Sequence, residues 1–184
     1  MTTAEQAVKH ALSRVGTGEY QLGTGDCYTE RGGKSDCAGF AINWCYNLRR
    51  HRPGFNRGPW STVEDDINCN SAIEDADHHQ ELFTQAIPPD RPQEGEARPG
   101  DLLTYPTFVV GPKHIKFIGH VAIVVDVPAD WRVGDPWARL TVVQCCGPNG
   151  RTPAILKTSG AHWDAHDQVW PKPQHRSRLL RVKQ

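Results

Sequence analysis

Cys37 stands in Asp36-Cys37-Ala38-Gly39-Phe40, after a glycine-rich stretch and at the head of an apolar-periodic segment. In the first turn of a helix, a thiol meets orphan backbone N–H groups and the positive end of the helix dipole. Both favour the thiolate, which a free cysteine with a pKa of about 8.5 lacks at neutral pH. The same N–H groups can form part of an oxyanion hole. The competing reading of Cys37 is a small buried hydrophobe, and that reading suits Cys45, two turns further along the same face, better. A base would have to come from elsewhere in the chain. Gly119-His120-Val121-Ala122-Ile123-Val124-Val125 puts a histidine at the head of an apolar strand, 83 residues downstream. Folding can bring such a pair together as nucleophile and general base. A base imidazole also needs a partner to hold its ring. Gln144, the polar residue near the end of Leu140–Cys145, is a candidate, with an ordinary outward-facing strand residue as the alternative.

The elements that must position these groups follow from periodicity. Thr3 and Gln6 form a capping box for a first helix whose apolar stripe is Ala7, Val8, Ala11, Leu12 and Val15, ended by Gly16. Residues 16–35 read as a glycine-rich loop. A second helix is expected from Ser35 or Asp36 to about Arg49, with Cys37, Ala41, Trp44, Cys45 and Leu48 on one face. Ser61-Thr62-Val63-Glu64 matches a further capping box, and a helical stretch is expected from about His79 to Ile87. From Asp101 the period becomes that of strands: Asp101–Tyr105, His120–Val127, Leu140–Cys145 and Leu179–Lys183. Helices first and strands later imply an α+β fold with a mostly antiparallel sheet, the Cys37 helix packed against it. One domain is expected over 1–184, elaborated at about 55–97.

Five segments occur in a telling order: Y-x-L-G at 20–23, D-C-A-G-F at 36–40, R-P-G-D-L-L at 98–103, G-H-V-A-I-V-V at 119–125 and V-V-Q at 142–144. Together they resemble the NlpC-type (NlpC and p-sixty) papain-like cysteine peptidases and their relatives, the CHAP amidases. The resemblance spans about residues 5–146, interrupted by 55–97. It implies a papain-like fold and hydrolysis of an amide bond in the peptide part of bacterial cell-wall peptidoglycan, without metal or organic cofactor. It makes Cys37 the nucleophile, His120 the base and Gln144 the third residue. It also puts Tyr20 beside the thiol at the oxyanion site, with Asp36 capping the helix and Ala38 in its first turn where Ser is commoner. The third position in this family is often His, which keeps His162 and His166 open beside Gln144. The loop between Gly23 and Asp36 is longer than usual and holds Cys27, which would face the site or pair with another cysteine. The Cys-before-His order argues against circularly permuted lipid acyltransferases.

Bulk properties narrow the alternatives. The 184 residues include 21 basic and 21 acidic side chains, so no global attraction to nucleic acid is expected. Acidic residues crowd 61–101 and basic residues the stretch after Arg151. No apolar run approaches the roughly 18 residues of a membrane span. The N-terminus lacks the basic-then-apolar signature of a signal peptide, so the expectation is cytoplasmic synthesis, with any action on the wall reached through lysis, a phage particle or a secretion machine. None of the six cysteines forms a C-x-x-C pair, which disfavours structural zinc. Other Cys–His enzymes (a deamidase, transglutaminase or acyltransferase) and a non-catalytic binding module are the rival readings.

Overall fold

The computed structural model describes residues 2–23, 33–48 and 67–183. Cys27, Arg49, Arg50, Arg52 and the Ser61–Glu64 capping box lie outside them. The fold is α+β, built on a six-stranded antiparallel sheet. Its strands are β3 (Phe83–Gln85), β4 (Leu102–Tyr105), β7 (His120–Asp126), β8 (Thr141–Cys145), β9 (Ile155–Ser159) and β10 (Arg178–Val182), in the order β3-β10-β4-β7-β8-β9. Two smaller pairs flank it: a parallel pair of β1 (Glu19–Tyr20) with β2 (Lys34–Ser35), and a hairpin of β5 (Phe108–Val110) with β6 (Ile115–Phe117).

Alternation along the central strands divides the core in two. Leu102, Val121, Ile123, Val143, Cys145, Leu180 and Val182 face one cluster; Leu103, Tyr105, Ala122, Val124, Val142 and Leu179 face the other. The period of two sends successive side chains to opposite faces. Both faces are covered, which is why β7 reads as an unbroken apolar run. The first face carries α1 (Ala4–Ser13), the Cys37 helix and α2 (Cys69–Glu74); Trp163 of α3 (Ala161–Val169) belongs to the second cluster. Each fully buried large side chain, such as Phe40, Ile42 or Trp163, contributes about 1.5–3 kcal/mol of hydrophobic stabilisation.

The α1 capping box is formed as its residues dictate: Thr3 Oγ1 accepts from Gln6 N, and Gln6 Oε1 accepts from Thr3 N at 3.0 Å. Ala7 and Ala11 are fully buried, but Leu12 and Val15 are 42% and 38% exposed, so the buried stripe is narrower than the periodicity suggests. The second helix departs from expectation in start, length and winding. Ser35 belongs to β2, the helix begins at Cys37, and it is π-wound over Gly39–Cys45. Asn47 then adopts φ 55°. Phe40, Ile42 and Asn43 are buried along with Cys37, Ala41, Cys45 and Leu48 of the predicted face, while Trp44 is half-buried, so most of this helix runs through the interior.

The helix expected over His79–Ile87 is absent. Helical residues instead precede His79, as α2 and a π-wound turn over Asp75–His79. Gln80 turns the chain at φ 52°, and the buried Asp75 carboxylate accepts from the N–H groups of Glu81, Leu82 and Phe83 at 3.0, 2.8 and 2.8 Å. Those bonds remove the donors a continuing helix would need, and Phe83–Gln85 pairs with β10 at the sheet edge.

The Pro99-Gly100-Asp101 turn joins helices to sheet. Gly100 has φ 98°, and a Cβ there would meet the Ala4 Cβ at 2.6 Å. Its carbonyl accepts from the Tyr46 hydroxyl, and its N–H donates to Val124 O at 2.8 Å. Asp101 is buried and held by two bonds from Arg181, each 2.8 Å.

Candidate active site

Asp36 caps the Cys37 helix. Its Oδ1 accepts from Gly39 N at 2.8 Å, its backbone oxygen from Phe40 N at 3.1 Å, and its Oδ2 from Gly23 N at 3.1 Å. Of the N–H groups at this helix start, those of Cys37 and Ala38 are left without a partner among the described residues, beside the Cys37 sulfur. Both residues are buried, Cys37 at 5% exposure.

The sulfur lies at the head of β7. Cys37 Sγ is 3.9 Å from Gly119 O, and the Val121 N–H donates to it. Gly119 permits the close approach of the β4–β5 connection, because a Cβ there would sit 2.7 Å from Thr107 N and 2.8 Å from Tyr105 O. Its own N–H donates to Thr107 Oγ1 at 2.7 Å. His120 follows at once, opposite Tyr105 in the β4 register. Its ring packs on Trp163 at 5.3 Å and meets the Cys37 thiol as a hydrogen-bond partner.

Gln144 closes the line. It stands opposite Ala122, hence diagonal to His120 on the same face, and its Oε1 lies 2.7 Å from His120 Nε2. Gln144 Nε2 in turn donates to Thr158 Oγ1 on β9 at 2.8 Å, which fixes the amide with its oxygen towards the imidazole. An amide oxygen can only accept, so His120 Nε2 carries a proton and Nδ1 is the nitrogen left for the sulfur. Of the alternatives for this position, His162 is bonded to Tyr105 Oη at 2.8 Å and stands edge-on to His120 at 5.5 Å. His166 stacks on Tyr105 at 3.8 Å and pairs with Asp167.

Electrostatics favour charge separation. A hydrogen bond from the Cys69 thiol is the largest influence on Cys37; it and the facing His120 outweigh burial and hold the thiol well below the usual range. For His120, burial acts downward, but the Cys37 sulfur and the Gln144 oxygen lift its pKa above the ordinary imidazole value. The favoured state is therefore a thiolate–imidazolium pair. Burial and the neighbouring Cys37 push the Tyr20 phenol far up, so it stays protonated as a donor. Tyr20, Tyr105, His120, Gln144, Cys146 and His162 line a cleft of about 350 Å³.

Cys69, Tyr105 and Thr104 were not singled out from the sequence. Cys69 opens α2, inside the segment set apart as an elaboration, and the Asn68 side chain caps that helix through Asn70 N and Ser71 N. The capping pattern was readable; the proximity of Cys69 to Cys37 was not, because 31 residues intervene. Thr104 Oγ1 donates to His120 O at 2.9 Å and steadies the strand end. Among the described residues no group of three or more His, Cys, Asp or Glu is placed to hold a metal, and no helix is long and apolar enough to cross a membrane. The chain matches no known family model and no curated protein.

Proposed function

We propose that the chain is a papain-like cysteine hydrolase that cuts an amide bond in the peptide part of bacterial peptidoglycan. The observation that carries this reading is the alignment of Cys37, His120 and Gln144, with the imidazole between a helix-tip sulfur and an amide oxygen 2.7 Å away. The substrate class rests on the ordered sequence segments that resemble the NlpC-type and CHAP enzymes, including the R-P-G-D turn that ties sheet to helices.

The Cys37 thiolate attacks the amide carbonyl carbon, forming a C–S bond and a tetrahedral oxyanion. The N–H groups of Cys37 and Ala38 and the Tyr20 hydroxyl are the donors available for that oxygen. Imidazolium His120 gives its Nδ1 proton to the leaving amine as the C–N bond breaks, leaving a thioester. Neutral His120 then takes a proton from water, whose oxygen attacks the thioester and releases the acid and the thiolate. Gln144 holds the ring through both steps and stabilises the imidazolium without adding a charge.

Digestion of purified peptidoglycan followed by mass analysis of the fragments tests the reading. The wild type is expected to release fragments with a new amine and a new carboxylate, and a folded Cys37→Ala variant none. Intact peptidoglycan after wild-type treatment, or equal release by Cys37→Ala, would overturn it.

A further inference from the structure

Cys69 is a second thiol at the candidate nucleophile, and hydrolysis as written gives it no covalent role. The two cysteines sit in the first turns of different helices, both 5% exposed and in one core cluster, and each thiol is the largest influence on the charge of the other. Their approach is built in. Asn70, next to Cys69, donates through Nδ2 to Thr107 O at 3.1 Å and accepts through Oδ1 from Thr107 N at 2.7 Å. Thr107 Oγ1 in turn receives the Gly119 N–H at 2.7 Å, and the Gly119 carbonyl lies 3.9 Å from Cys37 Sγ. This chain of bonds anchors the start of α2 to the strand end that meets Cys37, while Thr104 contacts Cys69 from β4.

Two of the other described cysteines are engaged or placed elsewhere. Cys145 donates its S–H to Ser35 O at 3.4 Å, and Cys45 is fully buried at the far end of the Cys37 helix. Cys146 lines the cleft, where the imidazole and Gln144 also stand.

We propose that Cys37 and Cys69 form a redox pair, in which a peroxide oxidises the Cys37 sulfur and Cys69 condenses with it to close a reversible disulfide. In the first step the Cys37 thiolate attacks one peroxide oxygen, the O–O bond breaks, and with one added proton the products are Cys37 sulfenic acid and water or an alcohol. In the second, the Cys69 sulfur displaces the sulfenic hydroxyl, its thiol proton leaves with that hydroxyl as water, and the S–S bond forms. The peroxide takes up the two electrons the sulfurs lose, and a dithiol returns them. The link removes the nucleophile from service and shields it from irreversible sulfinic and sulfonic acids.

The proposal takes Cys37 as the reactive thiol of the hydrolase reading, but its readout is a covalent bond, not turnover. The whole protein is treated with hydrogen peroxide, free thiols are blocked with iodoacetamide, and non-reduced digests are mapped by mass. The expected product joins the Cys37 and Cys69 peptides with the loss of two hydrogens. Dithiothreitol then restores Cys37 alkylation to its starting level in the wild type. In Cys69→Ser the same dose gives sulfinic and sulfonic acid at Cys37, which dithiothreitol does not reverse. Cys37 over-oxidised in the wild type with Cys69 still alkylated, or linked to Cys45 or Cys146, overturns the proposal without any variant. A disulfide in a protein that leaves peptidoglycan intact would keep the redox pair and sink the hydrolase; cleavage without the link does the opposite.

Discussion

Replacing Gln144 with alanine removes the acceptor that holds His120 Nε2 at 2.7 Å and leaves a buried N–H donor without a partner. An unsatisfied buried donor costs about 1–3 kcal/mol, with charged donors at the upper end. The imidazolium needs that acceptor most in the step where it delivers its proton, so the cost falls largely on the transition state. At about 1.4 kcal/mol per factor of ten, kcat/KM for a defined muropeptide should fall by roughly 5- to 150-fold. The loss should appear in kcat, with KM little changed, because Gln144 acts through His120 rather than on the substrate. The Gln144 oxygen is one of the groups lifting the His120 pKa, so the alkaline limb of the pH profile should move to lower pH in Gln144→Ala. In Gln144→Glu a carboxylate faces the ring, and the same limb should move to higher pH. An alanine variant that keeps kcat/KM within about twofold of wild type, beneath the range expected for a lost buried partner, would refute the claim that this oxygen orients the base.

Three further perturbations test the site and the turn that ties helices to sheet. The thiolate–imidazolium pair exists between the lowered Cys37 pKa and the raised His120 pKa, so kcat/KM should rise with pH through the first, fall through the second, and be bell-shaped. In Cys69→Ala the acid limb, and the pH dependence of iodoacetamide labelling at Cys37, should both shift upward, because the largest influence lowering that thiol is gone; an unmoved limb would contradict the assignment. At the sheet–helix junction, Gly100→Ala must hold φ 98° and push its Cβ into Ala4. Backbone strain of about 1–3 kcal/mol before any overlap lowers the thermal midpoint by roughly 2–4 °C for each kcal/mol, and an unchanged midpoint in calorimetry would contradict the turn geometry.

What could be read ahead of the structure were features set by neighbours in sequence. The Thr3–Gln6 box, the Asp36 cap and the apolar runs of β4, β7, β8 and β10 depend on residues within a few positions of each other, and they lie within a residue or two of their expected bounds. Where a distant partner decides the conformation, local pattern misled. Asp75 turned the expected helix at His79–Ile87 into an edge strand by capturing three N–H groups. Burial beyond the predicted stripe, visible at Phe40 and Ile42, hid behind an amphipathic pattern in the Cys37 helix. At the site, the residue types of Cys37, His120 and Gln144 were legible, and the coordinates add how they meet: Gln144 hydrogen-bonds the ring, because β8 sets its amide diagonal to His120, while His162 stands edge-on to it. Neither Cys69 nor Thr104 carries a local signal for the site, since each matters there only through a residue elsewhere in the chain, Cys69 through Cys37 and Thr104 through His120.

The groups at the sulfur come from far apart in the chain: Gly119, whose carbonyl lies beside it, is 82 positions from Cys37. A ribosome-bound or denatured chain therefore presents an ordinary thiol, inert towards mild electrophiles at slightly acid pH. Alkylation of Cys37 under such conditions would count native molecules, and the rate at which that labelling disappears in denaturant would time the parting of the two halves of the chain.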